Sequence, residues 1–355
     1  MSNSPRILGM PARTGGDPPG LRLEALARWL DDALPDVPPG PVRAEPIAGG
    51  KSNLTYIVRR GEWTAVLRRP PLGHVLATAH DMAREYRVIT ALRTSAVPAP
   101  EPLALCEDAG VIGAPFYVMS YVPGRSFRTA ADLSGHDPAR VRRITEELVD
   151  TLVALHLVDP KAVGLETFGR PEGFLPRQVR RWRTQLEASR TRALPDADVL
   201  HDLLTTRMPP DPAIAVVHGD YRLDNLLIGD DDTVAAVTDW EMSTLGDPMT
   251  DVAMLLVYHR LALESAGDLL GDAPRAPGYL SESAVLARYS HGVGRRVDDI
   301  GFYLGLASYK LAIIMEGIRT RHLQGDTVGP GFDAIGGAVR PLLRSGIELM
   351  HDRSP

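Results

Sequence analysis

The sequence has a single cysteine, Cys106, among 355 residues. No disulfide can form within the chain, and no thiolate cluster can hold a structural zinc. One lone cysteine fits a reducing compartment, so the cytoplasm is the expected location. No apolar run reaches the roughly 20 residues needed to span a bilayer. The best attempt, residues 304–318, is broken by Lys310 and Glu316, and its apolar spacing suits a buried helix. The first 20 residues are rich in Pro and Gly and lack an apolar centre. That argues against a secretory leader and for a disordered tail over residues 1–20. No internal repeat is present. There is also no excess of positive charge. Lys and Arg together number 39 against 45 Asp and Glu, a net charge of −6. Nothing general therefore draws the chain to nucleic acid or to an anionic membrane.

What is present is an ordinary globular composition, 44% hydrophobic and 24% charged. The length exceeds what one core usually supports, so two lobes are expected. Residues 21–34 read as a short amphipathic helix stopped by the Pro-rich segment 35–41. Short β-prone runs follow at 53–58 and 63–68, on either side of Gly61. Residues 75–92 look helical, and Pro98, Pro100 and Pro102 exclude a helix where they stand. Residues 116–122 form a strongly β-prone run that ends at Pro123-Gly124. From Pro138 the pattern turns helical, with periodicity over 141–157 and 175–192. A short apolar run at 214–217 leads into a polar loop, then a hairpin of 226–228 and 234–237 around Gly229. The remainder, from Pro248 to about Met350, reads as helices and loops.

The chemistry concentrates in Val216-Val-His-Gly-Asp-Tyr-Arg-Leu-Asp-Asn-Leu-Leu-Ile228 and the following Val237-Thr-Asp-Trp-Glu241. Phosphoryl transfer needs a carboxylate to orient the attacking hydroxyl and take its proton. It needs hard oxygen ligands for Mg²⁺ against the phosphates, and a cation to place them. Asp220 and Asn225 stand five apart in a loop between apolar strands, and Asp239 follows the next strand. This is the kinase spacing of base and first metal ligand, then the second metal ligand. Asp220 is thus the candidate base, and Asn225 and Asp239 the candidate Mg²⁺ ligands.

His218-Gly219-Asp220 stands where protein kinases have His-Arg-Asp, and Asp239-Trp240-Glu241 where they have Asp-Phe-Gly. In this the sequence resembles the aminoglycoside phosphotransferase and choline kinase family, over roughly residues 47–316. The resemblance implies a two-lobed, protein-kinase-like α+β fold. Its N-terminal lobe, residues 21–119, would carry a small antiparallel sheet and bind nucleotide. Residues 120–124 would be the hinge, and 125–355 a mainly helical lobe with the catalytic loop and acceptor site. It implies ATP or GTP with Mg²⁺ as cofactors and a small-molecule hydroxyl as acceptor, with no nucleic acid or membrane partner, in a monomer or homodimer. Gly49, Gly50, Ser52 and Asn53 sit where the family has its nucleotide loop, and backbone N–H groups there can approach phosphate. Arg68 and Arg69 fall where the family has its phosphate-binding Lys, and Arg is not a neutral swap for it. Alternation from Val66 puts Arg68 on the inner face, where Glu85 of the next helix would pair with it. Met119 would line the adenine pocket, with backbone groups of Ser120, Tyr121 and Val122 reading the base edge. The family also implies that Asp251 anchors the catalytic loop's backbone. His218 is expected to fix the loop's shape, Asp224 to be solvated or to cap, and Asp247 to cap the helix that Pro248 opens.

The acceptor is the least determined part. Glu241 could face it. The Arg-rich stretch 177–192 could offer it an anion site, with Arg177 and Arg181 on one helical face. Aminoglycosides are polycations, which such a stretch would disfavour. Arg68-Arg-Pro-Pro-Leu-Gly-His-Val75 resembles the branch of the family fused to acyl-CoA dehydrogenases. A hydroxyacyl-CoA or similar anionic hydroxy compound is therefore the preferred acceptor. An aminoglycoside or macrolide, or a nucleotide-binding pseudokinase scaffold, are the alternatives. A protein kinase is disfavoured, since no Ala-Pro-Glu follows Asp239.

Overall fold

The computed structural model describes residues 16–47, 53–72, 80–210, 213–264, 270–297, 300–325 and 332–351. Two compact units emerge. The first comprises the chain up to Arg93 together with Ala99–Val122, and the second comprises Thr94–Pro98 with everything from Pro123 onward.

The first unit is built on an antiparallel sheet of β1 (Arg43–Pro46), β2 (Leu54–Arg60), β3 (Trp63–Arg69), β4 (Pro102–Cys106) and β5 (Phe116–Ser120). The order across the sheet is β1-β2-β3-β5-β4. Gly61, at φ +57°, turns the β2–β3 hairpin. The two sheet faces differ in kind. Tyr56, Val58, Ala65, Leu67, Phe116 and Val118 lie on one, buried with Leu26 and Leu30 of helix α1 (Leu23–Ala33). There the Trp29 ring meets Phe116 edge-on at 4.7 Å. The residues that alternate with them face the other way, and helix α2 (Met82–Leu92) buries Glu85 with Val88, Ile89 and Leu92.

Two strands of this unit lie outside the sequence expectations. β4 begins on Pro102 at the sheet edge, the place where a strand tolerates a missing N–H. β1 carries Pro46 and is likewise an edge. The helix expected from residue 75 begins at Met82, with Asp81 capping it by accepting the Arg84 N–H at 3.0 Å. Residues 75–79 lie outside the described ones. So do 1–15 of the expected tail. Of its last residues, Pro19 accepts a hydrogen bond from the Tyr56 hydroxyl and Gly20 one from Arg69.

The second unit is mainly helical. Helices α3 (Ala130–Leu133), α4 (Pro138–His156), α5 (Phe174–Ser189) and α6 (Pro195–Thr206) come first. Then two small antiparallel pairs hold the functional loops. β6 (Ala215–Val217) pairs with β9 (Thr244–Gly246), and β7 (Leu226–Ile228) pairs with β8 (Val234–Val237). Asp232 in the β7–β8 turn is gripped by Arg140 and Arg143 of α4 at 2.5 and 3.1 Å, which fixes the hairpin against that helix. Helices α7 (Met249–Glu264), α8 (Glu282–Val293), α9 (Ile300–Leu323) and α10 (Phe332–His351) complete the unit. α9 is buried on nearly every face, as its apolar spacing predicts. Its Glu316, fully buried, accepts from Arg192 Nη2 at 2.7 Å and from Arg319 Nη1 at 3.3 Å. Among the described residues, no helix is long and apolar enough to cross a membrane.

Candidate active site

The loop leaving β6 opens on His218, whose ring is buried. Its Nε2 lies 2.8 Å from the Thr238 carbonyl, which can only accept, so Nε2 carries the proton. Nδ1 is then free to accept the Asp220 N–H at 3.2 Å. With both nitrogens engaged, His218 shapes the loop. Gly219 has φ +86°, and a Cβ there would stand 2.7 Å from the Met242 carbonyl oxygen, so both conformation and space require glycine. Asp251, in the first turn of α7, accepts the His218 N–H at 2.6 Å and the Gly219 N–H at 2.7 Å, one on each oxygen. Burial alone would raise its pKa. The hydrogen bond and charge of His156, helped by His218, outweigh burial and hold the carboxyl below its ordinary range.

Asp220 follows, its carboxylate half-buried. The Tyr258 hydroxyl donates to Oδ1 at 2.8 Å. Asn225 Nδ2 donates to the Asp220 carbonyl at 2.8 Å and reaches Oδ2 at 3.3 Å. Burial drives the Tyr258 pKa well above the ordinary phenol value, and the negative charge of Asp220 adds to this. The phenol therefore stays a donor. One such bond to a charged group is worth about 1.5–3 kcal/mol. Tyr258→Phe should lower kcat about tenfold with nucleotide KM unchanged, since only the aim of Asp220 is lost. Steady-state kinetics checks this, and an unchanged kcat would mean Tyr258 has no positioning role.

Asn225 and Asp239 are the hard-oxygen donors. Because the Asn225 amide nitrogen is committed to Asp220, its Oδ1 points away as an acceptor. The Thr238 N–H and Oγ1 both donate to the Asn225 carbonyl at 2.9 Å, which draws the end of β8 against the loop. Asp239 comes next with φ +64°, a left-handed conformation uncommon for Asp. Among the described residues no three His, Cys, Asp or Glu side chains form a group that could hold a metal ion by themselves. Two oxygen donors suit Mg²⁺, which keeps waters and phosphate oxygens as its other ligands.

In the first unit, Thr55, Arg68 and Tyr117 form one cross-strand row over β2, β3 and β5. Glu85 rises beneath it from α2, 1% exposed. Arg68 Nε lies 2.7 Å from Glu85 Oε2, the Tyr117 hydroxyl donates to the same oxygen at 3.0 Å, and Asn53 Nδ2 donates to Oε1 at 2.9 Å. Arg69 faces the α1 side instead, donating to the carbonyls of Gly20, Pro70 and Ile112. Val66 and Met119 make the next row on the Arg68 face. The Ser120 N–H donates to Glu101 at 2.8 Å, so that group is spoken for; Tyr121 and Val122 lie past the end of β5. Gly49, Gly50 and Ser52 lie outside the described residues.

The expectations for Arg177 and Asp224 need correction. The Arg177 guanidinium is committed to the carbonyls of Arg170 and Glu172, and so ties down the loop before α5. Arg183 pairs with Glu187 and Asp198, and Arg192 with Glu316. Arg181 stays exposed. Asp224 is neither solvated nor capping; it pairs with Arg222, whose guanidinium lies 4.8 Å from the Tyr258 ring centroid. Glu241 is half-buried on the short turn after Asp239. Asp247 caps α7 by accepting the Met249 N–H at 3.0 Å, and the Tyr303 hydroxyl donates to its other oxygen at 2.6 Å. Three residues were missed: Arg222, Tyr258 and Lys310. Arg222 sits within the motif, two places after Asp220. Tyr258 carries no local signal. Lys310, the one cation within the apolar run 304–318, reads in the sequence only as an interruption.

A family model described as "Phosphotransferase enzyme family" matches residues 43–284. Acyl-CoA dehydrogenase family member 10 of Mus musculus is 35% identical over 310 residues, 85% of this chain and 28% of that protein. Acyl-CoA dehydrogenase family member 11 of Gallus gallus is 34% identical over 336 residues, 92% of this chain and 43% of that protein. The chain thus spans well under half the length of these relatives. A Ralstonia eutropha protein, solved by crystallography under the provisional name of aminoglycoside phosphotransferase, superposes with TM-score 0.81 at 34% identity. That match covers 92% of this chain and 98% of the other.

Proposed function

The chain belongs to the phosphotransferase enzyme family, and we propose that it moves the γ-phosphoryl group of ATP, held with Mg²⁺, to the hydroxyl of an anionic small molecule. GTP is the alternative donor and a hydroxyacyl-CoA the preferred acceptor class. The observation that carries this reading is the presentation of Asp220. Its carboxylate is aimed by Tyr258 and Asn225 on a loop whose backbone is locked by Asp251, with two further oxygen donors following.

In the proposed reaction the acceptor oxygen bonds to the γ-phosphorus as the bridging oxygen departs with ADP. The hydroxyl proton passes to Asp220. Asn225 Oδ1 and the Asp239 carboxylate would hold Mg²⁺, which supplies charge neutralisation to the phosphates when bound. Within the first unit, Arg68, kept in place by Glu85, is the candidate phosphate-binding cation, and Val66 and Met119 are candidates to line the adenine. His218 holds the loop and moves no proton.

The acceptor class follows from two supports. The relatives named acyl-CoA dehydrogenase are longer than this chain, and a kinase segment joined to such an enzyme would meet acyl-CoA derivatives. The cations near Asp220 disfavour the polycationic aminoglycosides that the Ralstonia protein's provisional name suggests, and macrolides bring no anion to match them. The test is acceptor-dependent ADP release with Mg²⁺, run against hydroxyacyl-CoAs, free hydroxy acids, aminoglycosides and macrolides. Hydroxyacyl-CoA turnover is expected, and Asp239→Ala should weaken Mg-nucleotide binding about 10- to 100-fold. Turnover of aminoglycosides alone would reassign the acceptor. Unchanged Mg-nucleotide affinity in the variant would remove Asp239 from the metal site.

A further inference from the structure

An acceptor must bring its hydroxyl to Asp220, so the groups bordering Asp220 decide which acceptors fit. One of them is Lys310, near the middle of the buried helix α9. Its Nζ donates to the Gly219 carbonyl at 2.7 Å, one residue ahead of Asp220. An ammonium has three donors. Among the described residues this is its one hydrogen bond, and no carboxylate comes within ion-pairing distance of it. Two N–H groups of a half-buried cation are left over beside the candidate base.

The second cation is Arg181 on α5, which packs against α9. The Arg181 guanidinium lies 5.4 Å from the Trp182 ring centroid, and Lys310 Nζ lies 5.8 Å from the same ring. The two charges sense each other: burial pushes the Lys310 pKa down, Asp220 and Asp251 pull it back, and Arg181 lowers it further. Arg181 also has no carboxylate partner among the described residues. Arg183, Arg190 and Arg192 of the Arg-rich stretch do, and Arg177 is spent on backbone carbonyls. The exposed Arg180 is, like Arg181, without a carboxylate partner among the described residues, but no contact brings it to Trp182 or Lys310. Two like charges at one indole, neither with a carboxylate within ion-pairing distance among the described residues, repel unless an anion joins them. What distinguishes Arg181 and Lys310 is that both cations lie at the Trp182 ring, which leaves that spot positive.

We propose that Lys310 and Arg181, set around Trp182, form the recognition site for an anionic group of the acceptor, a carboxylate or phosphate carried on the same molecule as the reacting hydroxyl. This rests on the reading of Asp220 as the base and deepens it. It replaces Arg177 by Lys310 in the anion site. The positive charge of the site makes a polycationic acceptor unfavourable, and the site includes none of the residues assigned to the nucleotide.

The experiment is calorimetric binding to the full chain saturated with Mg²⁺ and a non-hydrolysable ATP analogue. The probes are 3-hydroxybutyrate, its uncharged methyl ester, and coenzyme A. At least one anionic probe should bind. The methyl ester should bind at least tenfold more weakly than the acid if the carboxylate is what is read. Coenzyme A should bind instead if a carrier phosphate is read. Lys310→Met and Arg181→Met should each weaken the bound anion tenfold or more, with the affinity for the ATP analogue unchanged. Lys310→Arg should restore most of it. Arg181 is exposed, so its variant tests the site even where Lys310→Met fails to fold. Anion affinity that is the same in Arg181→Met and wild type would overturn the proposal, as would failure of both anionic probes to bind wild type. Failure of the ATP analogue itself to bind would instead strike at the kinase reading.

Discussion

Asp220→Asn should lower turnover by about 10²- to 10⁴-fold, the range over which a positioned general base contributes. The substitution is close to isosteric. An asparagine Oδ1 can still accept the Tyr258 hydroxyl now bonded at 2.8 Å, and Asn225 can still donate to the main-chain carbonyl at 2.8 Å. The loop geometry is therefore kept and only the proton acceptor is removed. Nucleotide affinity and melting temperature should match wild type. Paired kinetics and binding on the one variant separate these quantities. Near-normal kcat would show that no carboxylate is needed at residue 220. A matching loss of nucleotide affinity would show that Asp220 is structural.

Asp251→Ala should have the second largest effect, and of a different kind. Asp251 touches no reacting atom in this account. It holds the His218 and Gly219 N–H groups on its two oxygens, with His156 Nε2 at 3.3 Å, and is fully buried. Removing it orphans two buried donors and a histidine at once. Breaking a buried charged network of this sort costs about 3–5 kcal/mol. Chemical denaturation should show a loss of that size, and activity should collapse with it because the loop carrying Asp220 loses its anchor. The pH dependence follows from the lowered native pKa of Asp251. Its contribution is present above the unfolded carboxylate value and is lost as pH falls through the native one. The difference in stability between wild type and Asp251→Ala should therefore narrow in acid. A variant as stable as wild type at neutral pH would mean that the loop is held by other contacts.

The parts that were legible in the sequence are those where chemistry or periodicity is local. Asp220, Asn225 and Asp239 are fixed relative to one another by a loop and one hairpin, so their spacing survives as a motif. Arg68 could be told from Arg69 because strand alternation is strict: one residue on, the guanidinium faces α1 and the Gly20 carbonyl. The buried helix α9 announced itself through its apolar run.

What was not legible depends on approach in space. Tyr258 reaches Asp220 from 38 residues away, and Lys310 reaches Gly219 from 91. Nothing local in either segment marks the contact. The three-residue strand β9 has no pattern to detect, and β4 begins on a proline that reads as a loop. Arg177 shows the limit of counting charges on a helix face. Helical spacing put it beside Arg181, but the side chain turns back to satisfy carbonyls of the preceding loop.

The most direct measurement is transfer of label from [γ-³²P]ATP to 3-hydroxybutyryl-CoA by purified protein, with and without Mg²⁺, beside Asp220→Asn. Labelled acceptor is expected only with Mg²⁺ and wild-type protein, with loss of label in the variant despite intact nucleotide binding. Labelled acceptor formed equally well by Asp220→Asn would contradict the role of Asp220 as base.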